Sequence, residues 1–229
     1  MEGESHFSAT PGRTLRAIRR LTGNEVHLWI VEVGPESDDR ARRHAATSAA
    51  ERDRAARFRA AGDRERFLSS HGALRLVLAE YLDCEPHDVV FASRPGGKPY
   101  ISGARLEFNM SHSGALALIA VAHGRQVGVD VESIRPLPGL AAIAARVCTP
   151  DERATLAALP ESSREGAFLA MWTRKEALAK MTGEGLGAVL RDPCLSSPAR
   201  CRVVELQDVP GYAACVAAEG TGWHVVRSA

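Results

Sequence analysis

The chain has 229 residues and a formal net charge of +1, with 45% apolar, 25% charged and only 5% aromatic side chains. That length is enough for one large domain or two small ones with a real core. The near-neutral charge argues against a general nucleic-acid binder, and the scarcity of aromatics against a surface on which bases stack.

Residues 1–24 read as a loose leader, punctuated by Pro11-Gly12 and Thr22-Gly23 and without the apolar run of a secretory signal. A first strand is expected over Val26–Val33, a helix from Ser37 to about Arg59, and a second helix over Asp63–Leu82, where Phe67, Leu74, Leu78 and Leu82 recur at helical spacing. Val89–Ala92 is a short strand, and Pro95-Gly96-Gly97-Lys98-Pro99 a turn. Three strand-like runs follow: Leu106–Ser111, Ala115–Ala122 and Gln126–Glu132. Asn109 to Gly114 is expected as a polar loop at a strand end. Helices come next at about 139–147, 150–159 and 163–181, and the strands Cys201–Leu206, Tyr212–Ala218 and Trp223–Val226 close the series. Each half therefore runs from helices to strands. The expected organisation is the leader, an N-terminal half over residues 25–123 and a C-terminal half over residues 124–229. The longest apolar stretch, Ala115–Ala122, is too short to span a bilayer. The five cysteines form no C-x-x-C pair, which fits a reducing compartment, and a cytoplasmic protein is expected.

Three segments carry chemistry. In Val127-Gly128-Val129-Asp130-Val131-Glu132, strand alternation puts Asp130 and Glu132 on one face and the three valines on the other. Two carboxylates about 7 Å apart on a rigid face repel unless a cation lies between them, and Mg²⁺ is a natural partner for hard oxygen ligands. Two solvated acids on an exposed edge would give the same pattern. On a helix, Trp172, Glu176 and Lys180 fall at i, i+4 and i+8 and form one stripe. Glu176 there could complete a metal shell or take a proton, and Lys180 could neutralise phosphate charge; a plain surface ion pair is the other reading. Ser111-His112 lacks the G-x-S-x-G elbow of a nucleophile, so phosphate binding or a structural histidine are the readings left. Nine arginines crowd residues 40–66, either as a solvated face or with a few holding an anion. Gly96-Gly97-Lys98-Pro99 has neither the frame nor the Ser/Thr of a P-loop. The residues alone lead to a Mg²⁺-dependent enzyme acting on a phosphate ester.

Taken in order and spacing, these segments resemble the long, surfactin-synthetase-activating type of 4′-phosphopantetheinyl transferase over roughly residues 50–190. The resemblance is carried by Arg57-Phe58 with Asp63-Arg64 and Arg66-Phe67, by Gly97-Lys98-Pro99, by Phe108 to Ser113, by Val127 to Glu132, and by Trp172 to Lys180 continuing into Gly183-Glu184-Gly185-Leu186. It implies an α+β fold of two pseudo-symmetric halves, each a small antiparallel sheet packed with helices, acting as a monomer with coenzyme A in the cleft. It implies that Asp130, Glu132 and Glu176 bind Mg²⁺, that Lys180 touches the transferring phosphate, and that Arg59, Arg66, Lys98, Ser111 and His112 hold the 3′-phosphate and adenine end. Glu176 is the expected base, with Lys180 and His112 beside it. The partner would be an acyl or peptidyl carrier protein, docking near Ile143, Val147 and Leu156, with neither nucleic acid nor membrane involved. A Mg²⁺-dependent nuclease or phosphohydrolase, and a non-catalytic module binding carrier or coenzyme A, are the alternatives.

Overall fold

The computed structural model describes residues 21–34, 36–191 and 200–228. Most of the expected leader, residues 1–20, and Cys194 lie outside the described residues. The elements run β1 (Glu25–Glu32), α1 (Arg40–Ala46), α2 (Ala49–Ala56), α3 (Ala61–Leu82), β2 (Ala92–Ser93), β3 (Pro99–Tyr100), β4 (Leu106–Ser113), β5 (Leu116–His123), β6 (Val127–Ser133), α4 (Leu140–Val147), α5 (Pro150–Ala158), α6 (Glu161–Thr182), α7 (Leu186–Arg191), β7 (Cys201–Glu205), β8 (Tyr212–Glu219) and β9 (His224–Ser228).

The architecture is α+β, with four layers: α3, a four-stranded sheet ordered β4-β5-β1-β9, a three-stranded sheet ordered β6-β8-β7, and α6. Side-chain alternation explains the layering. Along β5, Leu118, Ala120 and Ala122 point into the core between the sheets, while Ile119 and Val121 pack on Leu74, Val77 and Leu78 of α3. Along β8, Ala214, Val216 and Ala218 enter that same central core, and Cys215 and Ala217 meet Ala177, Leu178 and Met181 of α6. A strand covered on both faces has no need of polar residues, so both read as unbroken apolar runs. Each fully buried aliphatic side chain contributes about 1.5–3 kcal/mol. The two helix–sheet pairs thus mirror each other, a long helix behind a sheet on either side of one shared core.

Several boundaries differ from expectation. The helix expected from Ser37 to Arg59 is two helices. Thr47 is extended, and Ser48 starts α2 with a capping box, its hydroxyl accepting from the Glu51 amide while Glu51 reaches back to the Ser48 amide. The short strand lies at Ala92–Ser93 rather than Val89–Ala92, where it can pair with β3 across the Gly96-Gly97 turn. Asn109 to Ser113 is no loop: β4 continues through Ser113 in register with β5. The closing strand β9 leaves the C-terminal sheet and pairs in parallel with β1, with Glu25 opposite His224. Among the described residues no helix is long and apolar enough to cross a membrane.

One contact positions the chemistry. Gly128 of β6 lies against the backbone of α6, where a Cβ would overlap the Ala177 carbonyl and the Met181 amide. Only a residue without a side chain lets the strand come so close, and this apposition sets Asp130, two residues on, beside Lys180. The helix then stops at Gly183, whose left-handed backbone (φ 76°) caps it, its amide N–H donating a hydrogen bond to Ala179 O.

Candidate active site

The edge strand β4 of one sheet faces the edge strand β6 of the other, and alternate side chains stitch them together. Asn109 Oδ1 accepts from the Val129 amide at 3.0 Å, Ser111 Oγ donates to Asp130 Oδ1 at 2.7 Å, and Ser113 Oγ donates to Glu132 Oε2 at 2.9 Å while accepting from the Ser133 amide. Three polar residues at i, i+2 and i+4 share one strand face. The same alternation is readable in the sequence and puts Asn109 and Ser113, like Ser111, at the seam.

Above this seam lies an open cleft of about 360 Å³ lined by Met110, Ser111, His112, Asp130, Glu132, Trp172, Glu176 and Lys180. It gathers six of the predicted residues from β4, β6 and α6, with the expected helical stripe turned towards the two strand carboxylates. A larger hollow, about 490 Å³, lies over Glu36, Asp38, Arg40 and His44, but Arg40 and His44 are already paired with Glu65. Chemistry therefore favours the smaller cleft.

Charge in the cleft is unevenly balanced. Asp130 is almost fully buried; its Oδ1 accepts from both Ser111 and Lys180 Nζ, each at 2.7 Å, whereas Oδ2 is buried with no partner. An unpaired buried carboxylate oxygen is costly unless something positive or donating meets it. Burial, and then the nearby Asp130 and Glu132 charges, push the Glu176 carboxyl above its ordinary value despite the opposing Lys180 ammonium. Burial, followed by the Lys180 and Arg66 charges, holds His112 below the usual imidazole range. The donor set, three carboxylates with one orphaned oxygen, fits a hard divalent cation. As the side chains stand, no three His, Cys, Asp or Glu among the described residues are gathered tightly enough to hold a metal ion. Lys180 instead supplies the positive charge at Asp130.

Other predicted residues fare differently. Arg66 pairs with Asp63 at the start of α3 and is near enough to act on His112. Arg59 is exposed on the link between α2 and α3. Lys98, expected at the 3′-phosphate and adenine end, has its ammonium engaged within the protein. Its ammonium is buried and donates to Gln126 Oε1, Val127 O and Met181 O at 2.9, 2.9 and 2.7 Å, which uses all three N–H bonds. Burial lowers it to about 8. Ser111 is in the cleft, but its proton goes to Asp130 rather than outward. Leu156, expected on a docking surface, is core: it packs with Ala144, Phe168, Leu169 and Ala213. Ile143 is exposed and Val147 half-buried.

Two protein-family models match the chain. Residues 126–228 match the model of the 4′-phosphopantetheinyl transferase superfamily, and residues 34–124 match that of the N-terminal region of 4′-phosphopantetheinyl transferases. The 4′-phosphopantetheinyl transferase HetI of Nostoc sp. is 34% identical over 218 residues, covering 89% of this chain and 91% of that protein. The transferase psf-1 of Bacillus pumilus is 31% identical over 165 residues (69% and 70% of the two chains), and the 4′-phosphopantetheinyl transferase of Bacillus subtilis is 33% identical over 147 residues (64% of each).

Proposed function

Because the chain belongs to the 4′-phosphopantetheinyl transferase superfamily, we propose that the cleft between β4, β6 and α6 is where it moves the 4′-phosphopantetheine arm of coenzyme A onto a serine of an acyl or peptidyl carrier protein. The observation that carries this assignment is the convergence of Asp130, Glu132, Glu176 and Lys180 on one open face, with a buried Asp130 oxygen left unpartnered.

The serine oxygen attacks the β-phosphorus, which bears the pantetheine ester. The bond from that phosphorus to the bridging oxygen breaks, and 3′,5′-adenosine bisphosphate leaves with the bond's electron pair. Glu176 takes the serine proton: a carboxylate raised by burial and by its acidic neighbours is the better base near neutral pH. Lys180, held at the Asp130 carboxylate by a 2.7 Å contact, presents a fixed ammonium to the oxygens on which charge spreads. Mg²⁺ held by Asp130, Glu132 and Glu176 would supply further charge neutralisation to the pyrophosphate. His112 and Arg66, with Arg59 at the rim, would receive the 3′-phosphate; an imidazole kept neutral beforehand gains its proton as the phosphate arrives.

Both sheets belong to one chain and both line the cleft, so a monomer suffices for the reaction, and the cytoplasm is the setting in which coenzyme A and apo carriers meet it. The carrier would approach along the exposed Ile143 side of α4, beside Trp172.

The test is intact-mass spectrometry of an apo carrier protein incubated with this protein, coenzyme A and Mg²⁺, with and without EDTA. A gain of one phosphopantetheine that EDTA abolishes is expected. No gain across several unrelated carriers, with coenzyme A still bound, would leave a binding module in place of the enzyme.

A further inference from the structure

Lys98 lies in the turn between β2 and β3, far along the chain from the acidic strand and the catalytic helix, yet its ammonium touches both. Of its three acceptors, Val127 O stands at the start of β6, three residues before Asp130. Met181 O stands on α6, one residue after Lys180. Gln126 Oε1 takes the third N–H. The lysine therefore clasps the two backbones on either side of the point where Gly128 lies on α6.

The surrounding turn is fitted to that place. Gly96 has φ 92° and lies so near the Gly183 carbonyl that any Cβ there would overlap it, and the stem of Lys98 runs past Gly183, with Cβ and Cδ 3.5 and 3.6 Å from where a Gly183 Cβ would sit. Met181 O belongs to the last turn of α6, where carbonyls have no helical amide to accept from and a cation is favoured by the helix dipole. Each contact would be modest by itself. Together they fix the relative placement of two segments whose Lys180–Asp130 distance the chemistry needs to hold.

Resting on the transferase reading above, we propose that Lys98 is a positioning residue for phosphopantetheine transfer: its ammonium is taken up by Gln126, Val127 and Met181, and by bridging the last two it sets Lys180 against Asp130. This role differs from that of a phosphate ligand in what it leaves alone. A ligand to the 3′-phosphate governs how well coenzyme A is preferred over 3′-dephospho-coenzyme A. A positioning residue governs turnover and leaves that preference as it was. A misplacement of about 1 Å at a catalytic group can cost about 10²-fold in rate.

The experiment compares wild type, Lys98→Met and Gln126→Ala with coenzyme A and 3′-dephospho-coenzyme A, on one apo carrier, below the melting temperature of each variant. Wild-type turnover comes first, because its absence would fail the transferase reading itself and not the role of Lys98. For Lys98→Met, a fall in kcat of about 10²-fold is expected, with KM for coenzyme A within about threefold of wild type and an unchanged preference between the two substrates. Gln126→Ala removes one acceptor of three and should lower kcat by a few-fold with the same unchanged preference, which keeps the proposal testable if Lys98→Met does not fold. Amide hydrogen exchange should quicken at Ala179 to Gly183 in both variants. Loss of the preference for coenzyme A at normal kcat would make Lys98 a phosphate ligand and overturn the proposal. Wild-type kcat in folded Lys98→Met, with only a lower melting temperature, would overturn it too, since that is what a purely structural lysine gives.

Discussion

Ser111 Oγ, on the edge of one sheet, donates a 2.7 Å hydrogen bond to Asp130 Oδ1 on the edge of the other. The bond helps to hold a buried carboxylate whose second oxygen has no partner among the described residues. Ser111→Ala deletes it, together with the 2.9 Å bond that Lys180 Nζ donates to Ser111 Oγ, and among the described residues leaves Lys180 as the donor to Oδ1. A hydrogen bond to a charged group contributes about 1.5–3 kcal/mol, so the urea midpoint should fall by a corresponding amount and turnover with it. An unchanged midpoint would mean that the seam gains nothing from this bond.

Glu176→Gln should separate activity from stability. Losing the base is expected to lower turnover by about 10²–10⁴. The same change removes a carboxylate whose ionisation the fold opposes. Its folded value lies above the ordinary 4.5, so at pH below 4.5 the group is protonated in both states and costs nothing. As pH rises from 4.5 through the raised folded value, the unfolded chain ionises first and wild type loses stability, with the full cost present above that range. Thermal melts at acidic and neutral pH should show Glu176→Gln gaining on wild type as pH rises. A variant less stable at neutral pH would contradict the unfavourable setting described for Glu176.

Metal binding can be read without turnover. Mg²⁺ should raise the melting temperature of the wild type, because a ligand at 100 times its Kd adds about 2.7 kcal/mol to the folded state. Asp130→Asn, which lacks the charge but keeps the shape, should lose most of that rise. An equal rise in both would remove Asp130 from the metal site.

Gly128→Ala should be more damaging than its size suggests. The added methyl meets the Ala177 carbonyl and Met181 amide, which are backbone and cannot rotate away. Overpacking of this kind costs about 1–3 kcal/mol, and it pushes β6 off α6, so Lys180 and Asp130 separate. A calorimetric melt with a turnover assay on the folded variant tests both consequences; wild-type values in each would show that the strand can yield elsewhere.

The parts of this molecule that were legible in its sequence are those governed by short periods. Val127 to Glu132 announced which side chains share a face, and Trp172, Glu176 and Lys180 announced a stripe, because strand and helix geometry fix such relations locally. The break at Thr47-Ser48 was also legible, in the Ser48-Ala49-Ala50-Glu51 capping box, but a long Ala- and Arg-rich run masked it. The fate of Lys98 was not legible. A lysine in a glycine turn reads as exposed, and only the meeting with Val127 and Met181, made by the tertiary fold, buries it. The burial of Leu156 was illegible for a similar reason: α5 is short, and nothing local tells which of its faces meets Phe168 and Leu169. The cleft as a whole depends on two sheet edges meeting, a relation that no single segment encodes.

The parallel pairing of β9 with β1 has a consequence for synthesis. Ribosomes release a chain in order, yet the sheet that opens with residues 25–32 gains its outer strand only from residues 224–228. Until those emerge, β1 waits with one row of amides and carbonyls unpaired, a bare edge of the kind that recruits foreign strands. The first layer of the fold is therefore among the last to be finished. Pairing across nearly the whole described chain is the sort of long-range closure expected to limit the folding rate.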